Sequence, residues 1–154
     1  MEVKTFIEYL LVKILSAGVV TSPDYPSNYP DSLEKTMGIE VDQGMILSLE
    51  FTAFDIESNS DCDYDHLTIT DGNGATLMEK SCGSAGNLVI GGEKTNSTLP
   101  PNVWSWSNKV NLVFVTDGGG TRPGWSVSWS AVTPGECPFL VFSLFGDFQK
   151  CHCA

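Results

Sequence analysis

The sequence predicts an all-β fold, because apolar and polar residues alternate along short segments that turn residues separate. Large residues alternate with serines along Trp125–Ser130. Leu47, Leu49 and Phe51 alternate with polar neighbours in the same way. A period of two places alternate side chains on opposite faces of a strand. The chain has 15 glycines and 8 prolines, and residues 18–132 contain no stretch with the 3.6-residue period of a helix. The pattern is typical of a β-sandwich or a β-barrel.

Four strands can be placed from these patterns and from the turns that end them. The first covers Met45–Phe51, whose odd-numbered apolar residues share one face. The second covers Leu67–Thr70 and stops at Asp71-Gly72, a pair that is common in hairpin turns. The third covers Val110–Thr116 and stops at Asp117, which three glycines follow. The fourth is the segment of alternating large residues and serines described above.

The chain divides into three parts. Residues 1–17 are interpreted as an N-terminal extension or a degenerate leader, because Glu8 and Lys13 interrupt the apolar core that a signal peptide needs. This segment is also too short and too charged to span a membrane. Residues 18–133 form the β domain. Residues 134–154 form an apolar, cysteine-containing tail without clear periodicity.

The composition limits the kinds of partner. Lysine and arginine number 8 against 19 aspartates and glutamates, which gives a net charge of −11. Phosphate groups need positive charge, so we expect no nucleic acid partner and no binding to an anionic membrane surface. Cations and basic protein surfaces are the natural counterparts. The sequence contains no His-Glu-x-x-His, Gly-x-Ser-x-Gly or phosphate-loop motif, so we do not expect an enzyme.

The acidic residues are concentrated in one segment, Phe54–Asp65, which also contains Cys62. Like charges at this density repel one another unless a positive charge lies among them. That charge belongs either to a cation with oxygen ligands or to a basic partner. The segment contains five carboxylates, those of Asp55, Glu57, Asp61, Asp63 and Asp65.

Several short motifs follow one another along the chain, namely Gly18–Pro30, Phe54–Glu57, Cys62–Leu67, Asp71-Gly72, Cys82-Gly83, Val113–Asp117 and Gly124-Trp125. In their order they resemble the CUB domain, an extracellular module. Each motif alone is weak, but their order and spacing over residues 18–132 make the resemblance specific. It implies that residues 18–133 form a CUB domain with that family's fold, an all-β, two-sheet jelly-roll β-sandwich.

The resemblance also implies a disulfide between Cys62 and Cys82. The family's usual first disulfide is missing, because no cysteine precedes residue 62. Some first CUB domains of complement-type proteases lack this bridge too, so the assignment stands. The chain has 5 cysteines, which leaves at least one unpaired within it, and the pairing of the three cysteines beyond Cys82 stays open.

Many CUB domains bind one calcium ion, and the resemblance carries their ligand positions onto this chain. They are the carboxylates of Glu57, Asp65 and Asp117, with the Gly119 carbonyl as an expected backbone ligand. Calcium takes six to eight oxygen ligands at about 2.3–2.6 Å, so further carbonyls and water complete such a shell. We therefore expect Ca2+ as a bound ion. In the family, carboxylates of the ordered loops then accept a lysine or arginine from a partner protein.

Neighbouring residues are expected to serve the partner or to support the loops. Asp55 and Asp63 add negative potential for an extracellular protein with exposed Lys or Arg side chains. Tyr25 or Tyr29 is expected to anchor the acidic loop through its hydroxyl, with ordinary packing as the alternative. Tyr25 is also a candidate partner contact. The sequon Asn96-Ser97-Thr98 predicts glycosylation at Asn96 and, with a disulfide, favours a secreted, extracellular protein.

Two other functions stay open. The chain is alternatively an accessory, non-catalytic domain of a larger secreted protease, since CUB domains are commonly joined to complement-type or astacin-like catalytic domains. It is alternatively a carbohydrate-binding sandwich that stacks sugars on Trp104 and Trp106, although two large residues at this spacing are more often core. Zinc is a weaker candidate than calcium, because Cys151-His152-Cys153 points adjacent ligands in opposite directions on an extended chain.

Overall fold

The computed structural model describes residues 16–134, and in this range the chain forms ten β-strands. The first 15 residues and those from 135 onward, including three cysteines of the predicted tail, lie outside the described residues. Within the described range there is no helix that is long and apolar enough to cross a membrane. The strands are β1 (Ala17–Thr21), β2 (Glu34–Glu40), β3 (Ile46–Asp55), β4 (His66–Asp71), β5 (Thr76–Ser84), β6 (Asn87–Ile90), β7 (Glu93–Thr95), β8 (Val103–Trp104), β9 (Lys109–Val115) and β10 (Gly124–Val132).

The strands pair into two sheets, and every pairing is antiparallel. One sheet has four strands in the order β1-β10-β3-β8, and the other has six in the order β2-β9-β4-β5-β6-β7. The predictions of an all-β fold and a two-sheet sandwich are confirmed. The four strands predicted from the sequence correspond to β3, β4, β9 and β10.

The core lies between the two sheets and is filled by the alternating apolar residues. The ring of Phe114 in β9 meets Trp125 in β10 edge to face, with centroids 5.9 Å apart, so the aromatic residues join the two sheets. Burial of such side chains removes apolar surface from water at about 25 cal/mol per Å². The fully buried members from the predicted strands include Leu47, Leu49, Leu67, Ile69, Val110, Leu112, Phe114, Trp125 and Val127.

The register of the strands brings three loops to one end of the sandwich, which we call the acidic end. His66 at the start of β4 faces Val115 at the end of β9, so the residues just beyond them, Asp65 and Asp117, are neighbours. In the other sheet, β3 ends at this level, where Asp55 faces Gly124. The chain that leaves β3 therefore carries Glu57 toward the same place.

The opposite end, which we call the terminal end, is where the chain enters and leaves the described domain. Ala17 at the start of β1 faces Ser130 near the end of β10. The loop after β8 lies here too, and a buried carboxylate holds it. Asp71 Oδ1 accepts the backbone N–H groups of Trp106 at 2.8 Å and Ser107 at 3.1 Å. The loop thus has a fixed conformation at the end remote from Glu57.

Candidate metal centre

Three carboxylates meet at the acidic end. Each of Glu57, Asp65 and Asp117 offers a carboxylate oxygen that lies within 4.8 Å of those of the other two. Asp65 is fully buried, Glu57 is partly exposed and Asp117 is exposed. The group therefore runs from the protein interior to the surface. These are the three carboxylates that the sequence predicted as ligands, and we call them the acidic triad.

Tyr29 joins two members of the acidic triad. Its hydroxyl donates to Asp65 Oδ2 at 2.6 Å and accepts the backbone N–H of Glu57 at 3.0 Å. Burial, together with the hydrogen bond to Asp65, raises the pKa of Tyr29 far above its ordinary value. Of the two tyrosines that the sequence left open as anchors, Tyr29 makes these bonds, while Tyr25 is half-buried.

Asp65 also holds the third member. Its second oxygen, Oδ1, accepts the backbone N–H of Asp117 at 2.8 Å. One buried carboxylate thus fixes the loop after β9 directly, and it fixes the loop after β3 through Tyr29. Hydrogen bonds to an ionised acceptor are about twice as strong as neutral ones, so Asp65 is the structural centre of the triad.

The glycine loop after Asp117 closes the site on its exposed side. The backbone N–H of Gly119 donates to Asp117 Oδ1 at 3.0 Å. Gly120 has a φ of 74°, in the left-handed region, and its backbone lies directly against the Glu57 carboxylate. The role of the Gly119 carbonyl as a metal ligand stays a prediction.

The electrostatics of the triad are those of like charges at close range. Partial burial and the charges of Asp65 and Asp117 raise the pKa of the Glu57 carboxyl, against a weaker opposing effect of Arg122. Between residues 16 and 134, the ion pairs found are on other carboxylates, namely Lys80 with Asp63 and Lys109 with Glu40. No side-chain cation of the described chain thus pairs with the triad.

The chemistry of these donors fits calcium. All three are hard carboxylate oxygens, with no thiolate or imidazole among them. Calcium–oxygen distances of about 2.3–2.6 Å allow two ligands of one ion to lie up to about 5 Å apart. The spacing of the triad, within 4.8 Å, falls inside that limit. The residues present therefore fit a calcium ion, with backbone carbonyls or water as further ligands.

The other acidic residues of the segment lie outside the triad. Asp55 is half-buried in β3, opposite Gly124. Asp63 is exposed and pairs with Lys80 at 2.9 Å, so a cation of this chain already balances its charge. The roles of Tyr25, Asp55 and Asp63 in partner binding stay predictions.

The predicted disulfide is present beside the acidic segment. Cys62 and Cys82 are bonded, are fully buried and have Cα atoms 5.5 Å apart. The bridge ties the acidic loop to β5, and the neighbouring contact between Ile56 and Gly83 ties the end of β3 to the same strand. Residues 56–62 are thus attached at both ends.

The tryptophans differ from the expectation that both are core. Trp106 is 61% exposed and Trp104 is half-buried. The reason lies in β8 and the residues just after it, since Val103 and Ser105 are buried and the alternate positions therefore turn outward. The predicted glycosylation acceptor, Asn96, lies in an exposed loop after β7.

Comparison with known proteins identifies the family. A family model described as CUB domain matches residues 13–129. The chain belongs to the CUB family. It is 36% identical to cubilin of Sus scrofa over 118 residues, which are 75% of this chain and 3% of cubilin. It is 34% identical to human mannan-binding lectin serine protease 1 over 138 residues, which are 86% of this chain and 17% of that protein. The chain therefore spans a small part of the curated relatives that it matches.

A solved CUB domain gives the same fold. The structure of the MASP-1 CUB2 domain bound to Ca2+ matches with a TM-score of 0.57 and 28% identity, covering 75% of this chain and 92% of that one. CUB domains of cubilin, MASP-1 and tolloid are extracellular, non-catalytic protein-interaction modules. The predictions of family and of a non-enzymatic domain are confirmed.

Two features of the site were not predicted from the sequence. Asp65 was predicted only as a ligand, whereas it also organises the backbone of both loops through Tyr29 and Asp117. Of the three glycines after Asp117, Gly119 was singled out from the sequence as a backbone ligand, whereas Gly120 alone among them has a positive φ and contacts Glu57. An anchoring hydroxyl was expected of Tyr25 or Tyr29, but its link to Asp65 and the conformation of Gly120 have no signal in the sequence, because hydrogen-bond partners and backbone angles depend on how the loops meet.

Proposed function

We propose that this CUB domain is an extracellular, calcium-dependent interaction module that binds lysine or arginine side chains of a partner protein at the acidic triad. The observation that carries the proposal is the meeting of three carboxylates with no side-chain cation of the described chain paired to them. Its support comes from the Ca2+-bound MASP-1 CUB2 domain, to which this chain is similar, and from the net charge of −11.

The side chains divide the work between metal and partner. Glu57, Asp65 and Asp117 would hold the ion, and Tyr29 fixes the position of Asp65. Bound calcium supplies the positive charge that lets three carboxylates remain ionised side by side. Because Asp117 is exposed, an oxygen at the surface stays accessible to a basic side chain of the partner. The ion and the partner then bind cooperatively, since both favour the same arrangement of loops.

Calorimetry and thermal melting test the calcium step. Calcium should bind the domain with a stoichiometry of one and stabilise it, by about 2.7 kcal/mol at a concentration 100-fold above Kd. Glu57→Ala and Asp117→Ala should each weaken calcium binding at least about 10- to 100-fold, as disturbed ligand positions typically do, and reduce the stabilisation with it. The control is Glu50→Ala, which removes an exposed carboxylate of β3 outside the triad and should bind calcium normally. Absence of any calcium-dependent heat or melting shift would overturn the proposal.

The partner step needs a separate measurement. A polylysine or polyarginine peptide immobilised on a sensor should bind the calcium-loaded domain, and the domain should dissociate when a chelator is added. Binding that persists in chelator, or that Glu50→Gln reduces as much as Asp117→Asn, would point to general charge attraction. That outcome would contradict a role for the triad in partner binding.

Location and modification follow from the same context. We propose that the protein is secreted, on the basis of the Cys62–Cys82 disulfide and its extracellular relatives. Asn96 is proposed to carry a glycan, since its loop is exposed. Secretion from cultured cells followed by amidase treatment should reduce the mass of the protein, and Asn96→Gln should remove that change. A secreted protein of unglycosylated mass contradicts the modification.

A second candidate function, sugar binding, rests on the exposure of Trp106. An indole that is 61% exposed on a fixed loop is available to stack on a sugar ring. A glycan array should then give a signal that Trp106→Ala removes and that Glu57→Ala leaves unchanged. A blank array would leave protein binding as the function of the domain.

The similarity to a segment of a serine protease also supports a place in a larger secreted protein.

A further inference from the structure

Gly120 lies so close to the Glu57 carboxylate that a residue with a side chain at this position would displace it. A Cβ atom built on Gly120 overlaps both carboxylate oxygens and the Cδ atom of Glu57. A Cβ atom at Gly118 or Gly119 would meet no atom within 4 Å. Three consecutive glycines therefore have different roles, and only one of them makes room for the triad.

The overlap involves the mobile part of Glu57 and not the backbone. The side chain of Glu57 is partly exposed, so it can rotate toward solvent. A methyl group at position 120 would therefore expel the carboxylate from the triad while the strands keep their pairing. The change would also put a non-glycine residue at a φ of 74°, which carries a separate conformational cost.

We propose that Gly120 is a positioning residue, whose missing side chain allows the Glu57 carboxylate to lie beside Asp65 and Asp117. This inference rests on the proposed calcium function for its consequence, but its geometric content concerns Glu57 alone. It predicts that alanine at this position removes a metal ligand as effectively as mutation of the ligand itself.

Three alanine variants separate the two effects of the substitution. Gly120→Ala introduces both the overlap and the strain of a positive φ. Gly74→Ala introduces the strain alone, because Gly74 has a φ of 90° and no atom within 4 Å of a built Cβ. Gly118→Ala introduces neither in the same loop. Each is compared with the wild type by calcium calorimetry and by urea unfolding in chelator.

Gly120→Ala should weaken calcium binding about 10- to 100-fold, the loss typical when a residue that orients a metal ligand is changed. Gly118→Ala and Gly74→Ala should bind calcium within twofold of the wild type. In chelator, Gly120→Ala and Gly74→Ala should unfold at similarly reduced urea concentrations. In a Glu57→Ala background, Gly120→Ala should weaken calcium binding no further. Full calcium affinity in Gly120→Ala, or an additive loss in that background, would overturn the inference.

A crystal structure of calcium-free Gly120→Ala provides the readout that does not depend on metal binding. The Glu57 oxygens should lie farther than 4.8 Å from those of Asp65 and Asp117. If the Glu57 carboxylate stays beside Asp65 and Asp117 in this variant, the positioning role of Gly120 is wrong, whatever the calcium affinity of the variant. Failure of the wild type to bind calcium overturns the proposed function, while the displaced carboxylate would still support the role of Gly120.

Discussion

Replacement of Tyr29 by phenylalanine tests the link that holds the acidic triad together. The substitution removes one oxygen and keeps the ring, which lies edge-on to Phe114 with centroids 5.0 Å apart. The core packing is thereby preserved. What is lost is the donor to Asp65 Oδ2 and the acceptor for the Glu57 backbone N–H.

The magnitude follows from these two hydrogen bonds. A bond to a charged group contributes about 1.5–3 kcal/mol and a neutral one about 0.5–1.5 kcal/mol. Asp65 is fully buried, so its unpaired oxygen has no direct replacement by bulk water. We therefore expect Tyr29→Phe to lower the free energy of unfolding by about 2–4.5 kcal/mol in the absence of calcium.

Urea unfolding of wild type and variant in chelator, followed by tryptophan fluorescence, measures this change. Tyr25→Phe is the matched control, because it removes a tyrosine hydroxyl from the same segment without touching Asp65. It should change the free energy of unfolding by less than about 0.5 kcal/mol, as is usual for changes away from such networks. If Tyr29→Phe and Tyr25→Phe have equal effects, Tyr29 does not join the two loops and the reasoning fails.

Two further predictions concern stability away from the triad. Burial raises the pKa of the Asp71 carboxyl, but the donors of Trp106 and Ser107 outweigh it and hold the pKa below its ordinary value of 3.8. The associated stability is complete above about pH 4 and is lost as the pH falls through the lowered folded-state pKa. Asp71→Asn should therefore cost about 1.5–3 kcal/mol at pH 7 and flatten the fall in stability below about pH 4, as urea unfolding at each pH would show. An unchanged slope would assign the acid sensitivity to other carboxyls. The disulfide closes a loop with a sequence separation of 20, so the double variant Cys62→Ser, Cys82→Ser should lose about 3 kcal/mol by the loop-entropy estimate. A loss below about 1 kcal/mol would show that the reduced chain keeps residual order in this loop.

The sequence was informative where one face of a strand is buried and the other is not. Burial alternates along β3, β4 and β9, whereas β10 alternates in sequence although its first four residues are all buried. The predicted bounds of these four strands lie within four residues of the observed ones. Strand β2 gave no signal, because it is an edge strand with mostly exposed residues. Strands β7 and β8, with three and two residues, are too short for any period to be recognised.

The candidate site was predictable in its members and not in its construction. The positions of Glu57, Asp65 and Asp117 came from family motifs. Their spacing in the chain carries no such information, because the register between β4 and β9 decides which loop ends meet. The exposure of Trp106 was likewise not predicted, since a two-residue strand sets which of its neighbours face outward.

The described domain has both of its chain connections at one end, beside the loop of Trp106. Ala17 and Ser130 are adjacent partners there, while the acidic triad lies at the other end of the same strands. In a multidomain protein, both linkers would leave such a module at its terminal end, so the acidic end would face away from the neighbouring modules. Several copies joined by short linkers could then engage several basic sites at once, and their combined avidity would exceed the affinity of a single copy.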